Sequence, residues 1–226
     1  MVEVIPGILE QEFSEIEKKV ALVQGLVDWV QIDVADGTLV PNTTFLDFSA
    51  LGTLTKSSLS SNLSTVNEKG YDHRLSFEAH LMVTSPEKYI RPLVDAGFRR
   101  LIAHVEANDP RRFLDEAQYE SIEVGLAIDG ATDFNEIEPF LEAIDVVLVM
   151  TIEAGFSGSP FLPEAVEKMK TIHRNLPDLP IEGDGGINEQ TARLVKEAGA
   201  TRLVSTSFLF KDPKQIAATI DTLRKA

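Results

Sequence analysis

Short apolar runs alternate with longer amphipathic stretches from one end of the chain to the other. Residues 4–9, 29–34, 75–83, 101–105, 123–128, 146–152, 180–184 and 202–207 have the length and apolar content of strands. Residues 146–152 are almost wholly β-branched or Leu, as expected of a parallel strand buried on both faces. Between these runs lie helical patterns. Residues 13–26 carry Ile16, Val20, Val23 and Leu26 on one face. Pro86 opens a helix that ends at Ala96-Gly97, and Asp109-Pro110 opens another, to about residue 120. Further helices are predicted over residues 133–144, up to His173, from Asn188 to Ala198-Gly199, and from about Asp212-Pro213 onward. Residues 38–72, rich in Ser, Thr and Asn, read as a long loop holding a helical piece at 50–54.

Eight strand–helix repeats within one domain length predict an α/β fold, a closed parallel (β/α)8 barrel formed as a single domain over residues 1–226. An open doubly wound sheet is the runner-up, but no Gly-x-Gly-x-x-Gly follows the first strand.

Charge then narrows the function. The chain has 21 Lys and Arg against 36 Asp and Glu, a net charge of −15. That balance disfavours binding to nucleic acid or to an anionic membrane, both of which need clustered cations. A small anionic substrate remains compatible, because backbone N–H groups can hold phosphate. With no Cys there are no disulfides, thiolate metal sites or Cys nucleophiles. The N-terminal residues lack the pattern of a signal peptide, and a cytoplasmic location is expected.

In such a barrel the chemistry sits at the C-terminal ends of the strands. Residues two apart share a face there. The second run supplies Gln31 and Asp33, the third Glu78, His80 and Met82, and the seventh Glu182 and Asp184. Asp33, His80 and Asp184, with an amide oxygen from Gln31, form a plausible site for a divalent cation such as Zn²⁺, Fe²⁺ or Mn²⁺. Gly155 and Gly158 follow the sixth run, Gly185-Gly186 the seventh and Thr206-Ser207 the eighth. In those positions together they favour a phosphate held on backbone N–H groups. His104 is read either as a pocket group or as hydrogen-bonded packing. His73 and His173, and the charge runs 15–19 and 164–170, are read as solvated.

The series Ile5-Pro6-Gly7-Ile8-Leu9, residues 28–37 with Val40-Pro41-Asn42, Ala79-His80-Leu81-Met82-Val83, His104-Val105-Glu106, residues 149–153 with Gly155-Phe156, and Glu182-Gly183-Asp184-Gly185-Gly186 resembles the ribulose-phosphate 3-epimerase family over nearly the whole chain. The resemblance implies a TIM barrel of the ribulose-phosphate-binding type. It implies interconversion of D-ribulose 5-phosphate and D-xylulose 5-phosphate through an enediolate, with one bound Zn, Fe(II) or Mn ion. Asp33 and Asp184 would be the acid/base pair and metal ligands, and His80 a third ligand. The family's fourth ligand, a histidine, is replaced by Gln31, a weak or lost ligand that shifts preference toward Mn²⁺ or Mg²⁺. The usual serine of the first motif is Gly7 and the usual methionine after the second is Ala35. Losing the serine hydroxyl is expected to remove one hydrogen bond to substrate. The phosphate loop reads Ala154-Gly155-Phe156-Ser157-Gly158 and the last glycine–serine pair reads Thr206-Ser207. Gly7, His80, Met82, Met150, Gly155, Phe156, Ser157, Gly158, Gly185, Gly186, Thr206 and Ser207 would then meet the sugar phosphate. The resemblance also implies a small phosphorylated ketose as partner and a homo-oligomer.

A non-catalytic sugar-phosphate-binding relative, or an epimerase of another ketose phosphate, is the alternative. A decarboxylase or aldolase fits less well, because Asp-x-Lys-x-x-Asp is absent and no Lys ends an inward strand run.

Overall fold

The apolar runs close on one another. A computed structural model describes residues 2–60, 75–155 and 159–226. Its strands are β1 (Glu3–Ile8), β2 (Trp29–Ala35), β3 (Ser76–Met82), β4 (Arg100–His104), β5 (Glu123–Ile128), β6 (Val146–Met150), β7 (Ile181–Asp184) and β8 (Arg202–Ser205). Each is parallel to the next and β8 returns to pair with β1, giving a closed barrel. The helices are α1 (Phe13–Val23), α2 (Phe48–Ser60), α3 (Glu87–Asp95), α4 (Pro110–Ala117), α5 (Phe134–Ile137), α6 (Glu164–Asn175), α7 (Glu189–Glu197) and α8 (Ile216–Lys225). Among the described residues no helix is long and apolar enough to cross a membrane.

Burial on both faces explains why the runs are so apolar. Outward strand residues pack under the helices, with Val20, Leu93, Phe113, Ile172, Val195 and Leu223 among the side chains that cover them. Inward residues form a second core, including Ala35, Met82, Ile102, Ala127, Leu148 and Met150. Helix ends follow local chemistry. Asn188 Oδ1 accepts from the N–H groups of Gln190 and Thr191, while Thr191 Oγ1 accepts from the Asn188 N–H, a reciprocal cap on α7.

Three readings need correction. The helix expected over 133–144 is α5 followed by a 3₁₀ segment, Glu138–Ala143, because Pro139 has no N–H to continue an α ladder. The last helix begins at Ile216, since Asp212 Oδ1 accepts from the Lys214 N–H and turns the chain first. In the charge run 164–170, Lys168 is buried: its Nζ donates to the carbonyls of Asp129, Gly130 and Thr132 at 2.5, 3.2 and 2.6 Å. It ties α6 to the loop after β5. The helical piece at 50–54 lies within the longer α2. His73 lies outside the described residues.

The barrel's lower interior is ionic, which the sequence pattern did not suggest. Glu78 and Glu182 do not join Asp33 and Asp184. They lie one inward position earlier on their strands, where both are bound by Arg100, fully buried at the head of β4. Arg100 Nε also meets Glu123 Oε2 at 2.7 Å, and its guanidinium stacks 3.9 Å from the Trp29 ring centroid. Arg202 adds a second cation, 3.2 Å from Glu182 Oε1. This ionic layer closes the N-terminal end and leaves the C-terminal end for chemistry.

Candidate active site

Strand register brings the first set of groups to one height. Asp33 on β2 is paired with His80 on β3, and Asp184 on β7 sits beside Met150 on β6. All three polar side chains are buried, and one ligand atom from each lies within 4.8 Å of the others. His80 Nδ1 is 3.2 Å from Asp33 Oδ1 and 3.5 Å from Asp184 Oδ2. The Asp184 main chain is fixed in turn by Thr151, whose N–H and hydroxyl both donate to the Asp184 carbonyl.

Electrostatics follow from that crowding. Burial raises the Asp33 carboxyl, and the neighbouring Asp184 adds to the rise against the lowering pull of His80 and Gln31. Burial alone would lower the His80 imidazole. Its hydrogen bonds to Asp184 and Asp33 outweigh this and push it up to about 10. Without a cation, a protonated His80 therefore holds the two aspartates together. The same donor set, two carboxylate oxygens and an imidazole nitrogen, suits a divalent metal ion, which would displace that proton.

Gln31 is fully buried and faces this group as expected, but in an unexpected orientation. Its Nε2 donates to Asp33 Oδ1 and to Asp184 Oδ2, at 2.8 Å each, while its Oε1 has no partner. The amide nitrogen, not the oxygen, is turned toward the pair. It bridges two acids that would otherwise repel.

The pocket above them is lined by Asp33, His80 and Asp184, by Met82 and Met150, and by Gly155, Gly185, Gly186, Thr206 and Ser207. Phe156, Ser157 and Gly158, expected in the same loop, lie outside the described residues. None of the described lining residues is Lys or Arg. A phosphate here would rest on backbone N–H groups and hydroxyls. Asn42 Nδ2 donates to the Gly155 carbonyl at 2.9 Å, tying the loop after β2 to the loop after β6. Gly155 and Gly185 have φ of 98° and 109°, a region L side chains rarely adopt, and so set the shape of both loops.

Leu9, Ile152 and Ile187 also line the pocket. They were missed because an apolar residue at a strand end is indistinguishable, in sequence, from core. His104 is not a lining residue. It is buried behind His80, with its Nε2 2.8 Å from His80 Nε2.

Gly7 sits on β1 beside Gln31. A Cβ at Gly7 would lie 2.6 Å from Thr206 Oγ1 and 3.0 Å from Val204 Cγ1. The Thr206 side chain thus takes the space a side chain at position 7 would need, so a hydroxyl is still present at this point of the wall. We expect Gly7→Ser alone to destabilise the protein and impair activity, at a cost of about 1–3 kcal/mol for overpacking. Gly7→Ser with Thr206→Gly should recover most of that loss. A double-mutant cycle in denaturant unfolding measures it; additive losses would show that the two positions do not share space.

Comparison with known proteins agrees with this geometry. Residues 3–210 match the model of the ribulose-phosphate 3 epimerase family. The chain belongs to that family. It is 31% identical over 218 residues to the ribulose-phosphate 3-epimerase of Schizosaccharomyces pombe, covering 95% of this chain and 90% of the relative. It is 32% identical over 219 residues to that of Bacillus subtilis, covering 93% of each. Among solved structures, 3-keto-L-gulonate-6-phosphate decarboxylase from Vibrio cholerae superposes with a TM-score of 0.71 over 99% of this chain and 96% of that one. At 12% identity that likeness speaks for the barrel alone.

Proposed function

We propose that this chain catalyses the reaction its curated relatives are named for, 3-epimerisation of ribulose 5-phosphate to xylulose 5-phosphate, as a single barrel domain. The convergence of Asp33, His80 and Asp184 at the C-terminal mouth of the barrel carries the reading. Inverting C3 needs one group to remove the proton α to the carbonyl and another to return a proton on the opposite face. Asp33 and Asp184 approach the pocket from different strands, β2 and β7, and serve as that pair. The two acids alternate roles, one giving a proton while the other takes one.

Asp33, His80 and Asp184 are the residues that would hold a divalent ion, Zn²⁺, Fe²⁺ or Mn²⁺. Such an ion supplies Lewis-acid stabilisation of the enediolate charge. Met82, Met150, Leu9 and Ile152 present apolar surface to the substrate and keep water from the reacting carbon. The phosphate end of the ketose is received by Gly155, Gly185, Gly186, Thr206 and Ser207, on backbone N–H groups and hydroxyls rather than on a cationic side chain.

The test is exchange of the C3 proton of ribulose 5-phosphate into deuterated water with added Mn²⁺, Fe²⁺ or Zn²⁺, together with formation of xylulose 5-phosphate. No exchange with any of the three would end the proposal. Gln31→His probes the ion site separately. An imidazole offers a stronger donor than the amide, so the variant should bind Zn²⁺ more tightly than wild type in calorimetry. Unchanged metal affinity would mean that position 31 does not face the ion.

A further inference from the structure

Both ring nitrogens of His80 are engaged. Nδ1 faces Asp33 and Asp184. Nε2 faces His104 Nε2 at 2.8 Å, the two rings lying nearly parallel at 20° with centroids 5.0 Å apart. His104 Nδ1 is 2.9 Å from Glu106 Oε2, and Glu106 Oε1 accepts the backbone N–H of Asp129 at 2.8 Å. The chain of contacts thus runs from the aspartate pair through two imidazoles to a carboxylate anchored on the loop after β5. Neither His104 nor Glu106 lines the pocket.

The proton positions follow from donor–acceptor rules. Glu106 is an ionised acceptor: burial would raise its carboxyl, but the bond from His104 and its other donors hold it at about 2. His104 Nδ1 must then carry a proton and donate to it. Two nitrogens facing each other at 2.8 Å share one proton. Only if that proton sits on His80 Nε2 is a neutral His80 left with a bare Nδ1, the nitrogen on the aspartate side.

We propose that His104 and Glu106 are positioning residues that hold His80 in the Nε2–H tautomer and so present its Nδ1, with Asp33 and Asp184, to a divalent cation. The inference rests on the metal-assisted reading of the site given above. A carboxylate behind a ligating histidine fixes the ring and raises its basicity. Here the same pull is passed on through a second imidazole. This places the orienting carboxylate just past the C-terminal end of β4, half-buried, rather than beside the ligand itself.

The test is calorimetric titration of the metal-stripped full chain with Zn²⁺, for wild type, His104→Leu, His104→Gln and Glu106→Gln. His104→Leu removes the acceptor for His80 Nε2–H and should weaken binding roughly 10–100-fold. His104→Gln offers an amide oxygen in its place and should recover much of the loss. Glu106→Gln puts an NH₂ in place of one of the two oxygens that face His104 Nδ1–H and the Asp129 N–H, so it should also weaken binding. Ring ¹⁵N shifts of Zn²⁺-bound protein should show His80 protonated at Nε2 in wild type and a mixed population in Glu106→Gln.

A merely structural role predicts lower thermal stability with unchanged Zn²⁺ affinity and an unchanged His80 tautomer, and that result overturns the proposal. Should His104→Leu fail to fold, the Gln variants decide by the same two readouts. A wild-type chain that binds no divalent ion overturns the reading of the site itself, which separates the two failures.

Discussion

Asp33→Asn and Asp184→Asn should each slow epimerisation by about 10²–10⁴-fold, the range for losing one acid/base group. The more informative outcome is an asymmetry. On the proposed mechanism each epimer presents its C3 proton to one side of the pocket, so each aspartate would be base for one epimer and acid for the other. A single variant should therefore still exchange the C3 proton of one epimer with deuterated water and fail with the other, with opposite preferences for the two variants. Both aspartates also belong to the candidate ion site. The surviving half-reaction is the internal control: loss of the ion would stop exchange from both epimers, loss of one base from only one. Exchange of both epimers at near wild-type rate in either variant would remove the two-carboxylate mechanism.

Much of this site was legible because its groups obey a strand's two-residue period. Gln31 and Asp33, and Glu78 and His80, share faces by that period alone. The barrel itself was legible for a related reason. Strands buried on both faces leave continuous apolar runs, and β6 is the plainest case. What resisted reading was the partner of each polar group. Period and composition say which way a side chain faces, not what it meets across the barrel. Glu78 and Glu182 therefore looked like pocket residues until Arg100 was found between them.

Lys168 shows the same limit on a helix. Its neighbours Glu167 and Lys170 do form an exposed pair, so the run looked solvated, yet its own ammonium replaces water with three carbonyls. Long stems let such residues bury while the charge finds backbone oxygens. The Gly7–Thr206 exchange is a third kind of case. Gly7 read singly suggested a lost hydrogen bond, and only the 2.6 Å approach shows the Thr206 side chain occupying the space a side chain at position 7 would need.

The largest effect on stability should come from Arg100→Met. Arg100 is fully buried and is the cation shared by Glu78 and Glu182, both of them fully buried as well. Removing Arg100 leaves Glu78 without a cation and Glu182 with Arg202 alone, at about 3–5 kcal/mol. The loss should depend on pH in a defined direction. Burial, and the Glu78–Glu182 repulsion, already raise the Glu78 carboxyl well above its ordinary 4.5 even with Arg100 present. A carboxyl raised in the folded state binds more protons there than in the unfolded chain, so stability falls as pH rises from 4.5 through the folded value. Without Arg100 both carboxyls rise further. Near pH 5 the variant can keep them neutral at small cost; near pH 8 it must ionise them in the core or unfold. Denaturant unfolding at about pH 5 and about pH 8, followed through Trp29, the chain's single tryptophan, under the Arg100 guanidinium, should show a much larger gap from wild type at the higher pH. Adding Glu78→Gln and Glu182→Gln should narrow that gap, because the penalty belongs to the unpaired charges rather than to the lost arginine. A gap equal at both pH values would mean that the acids are solvated after all.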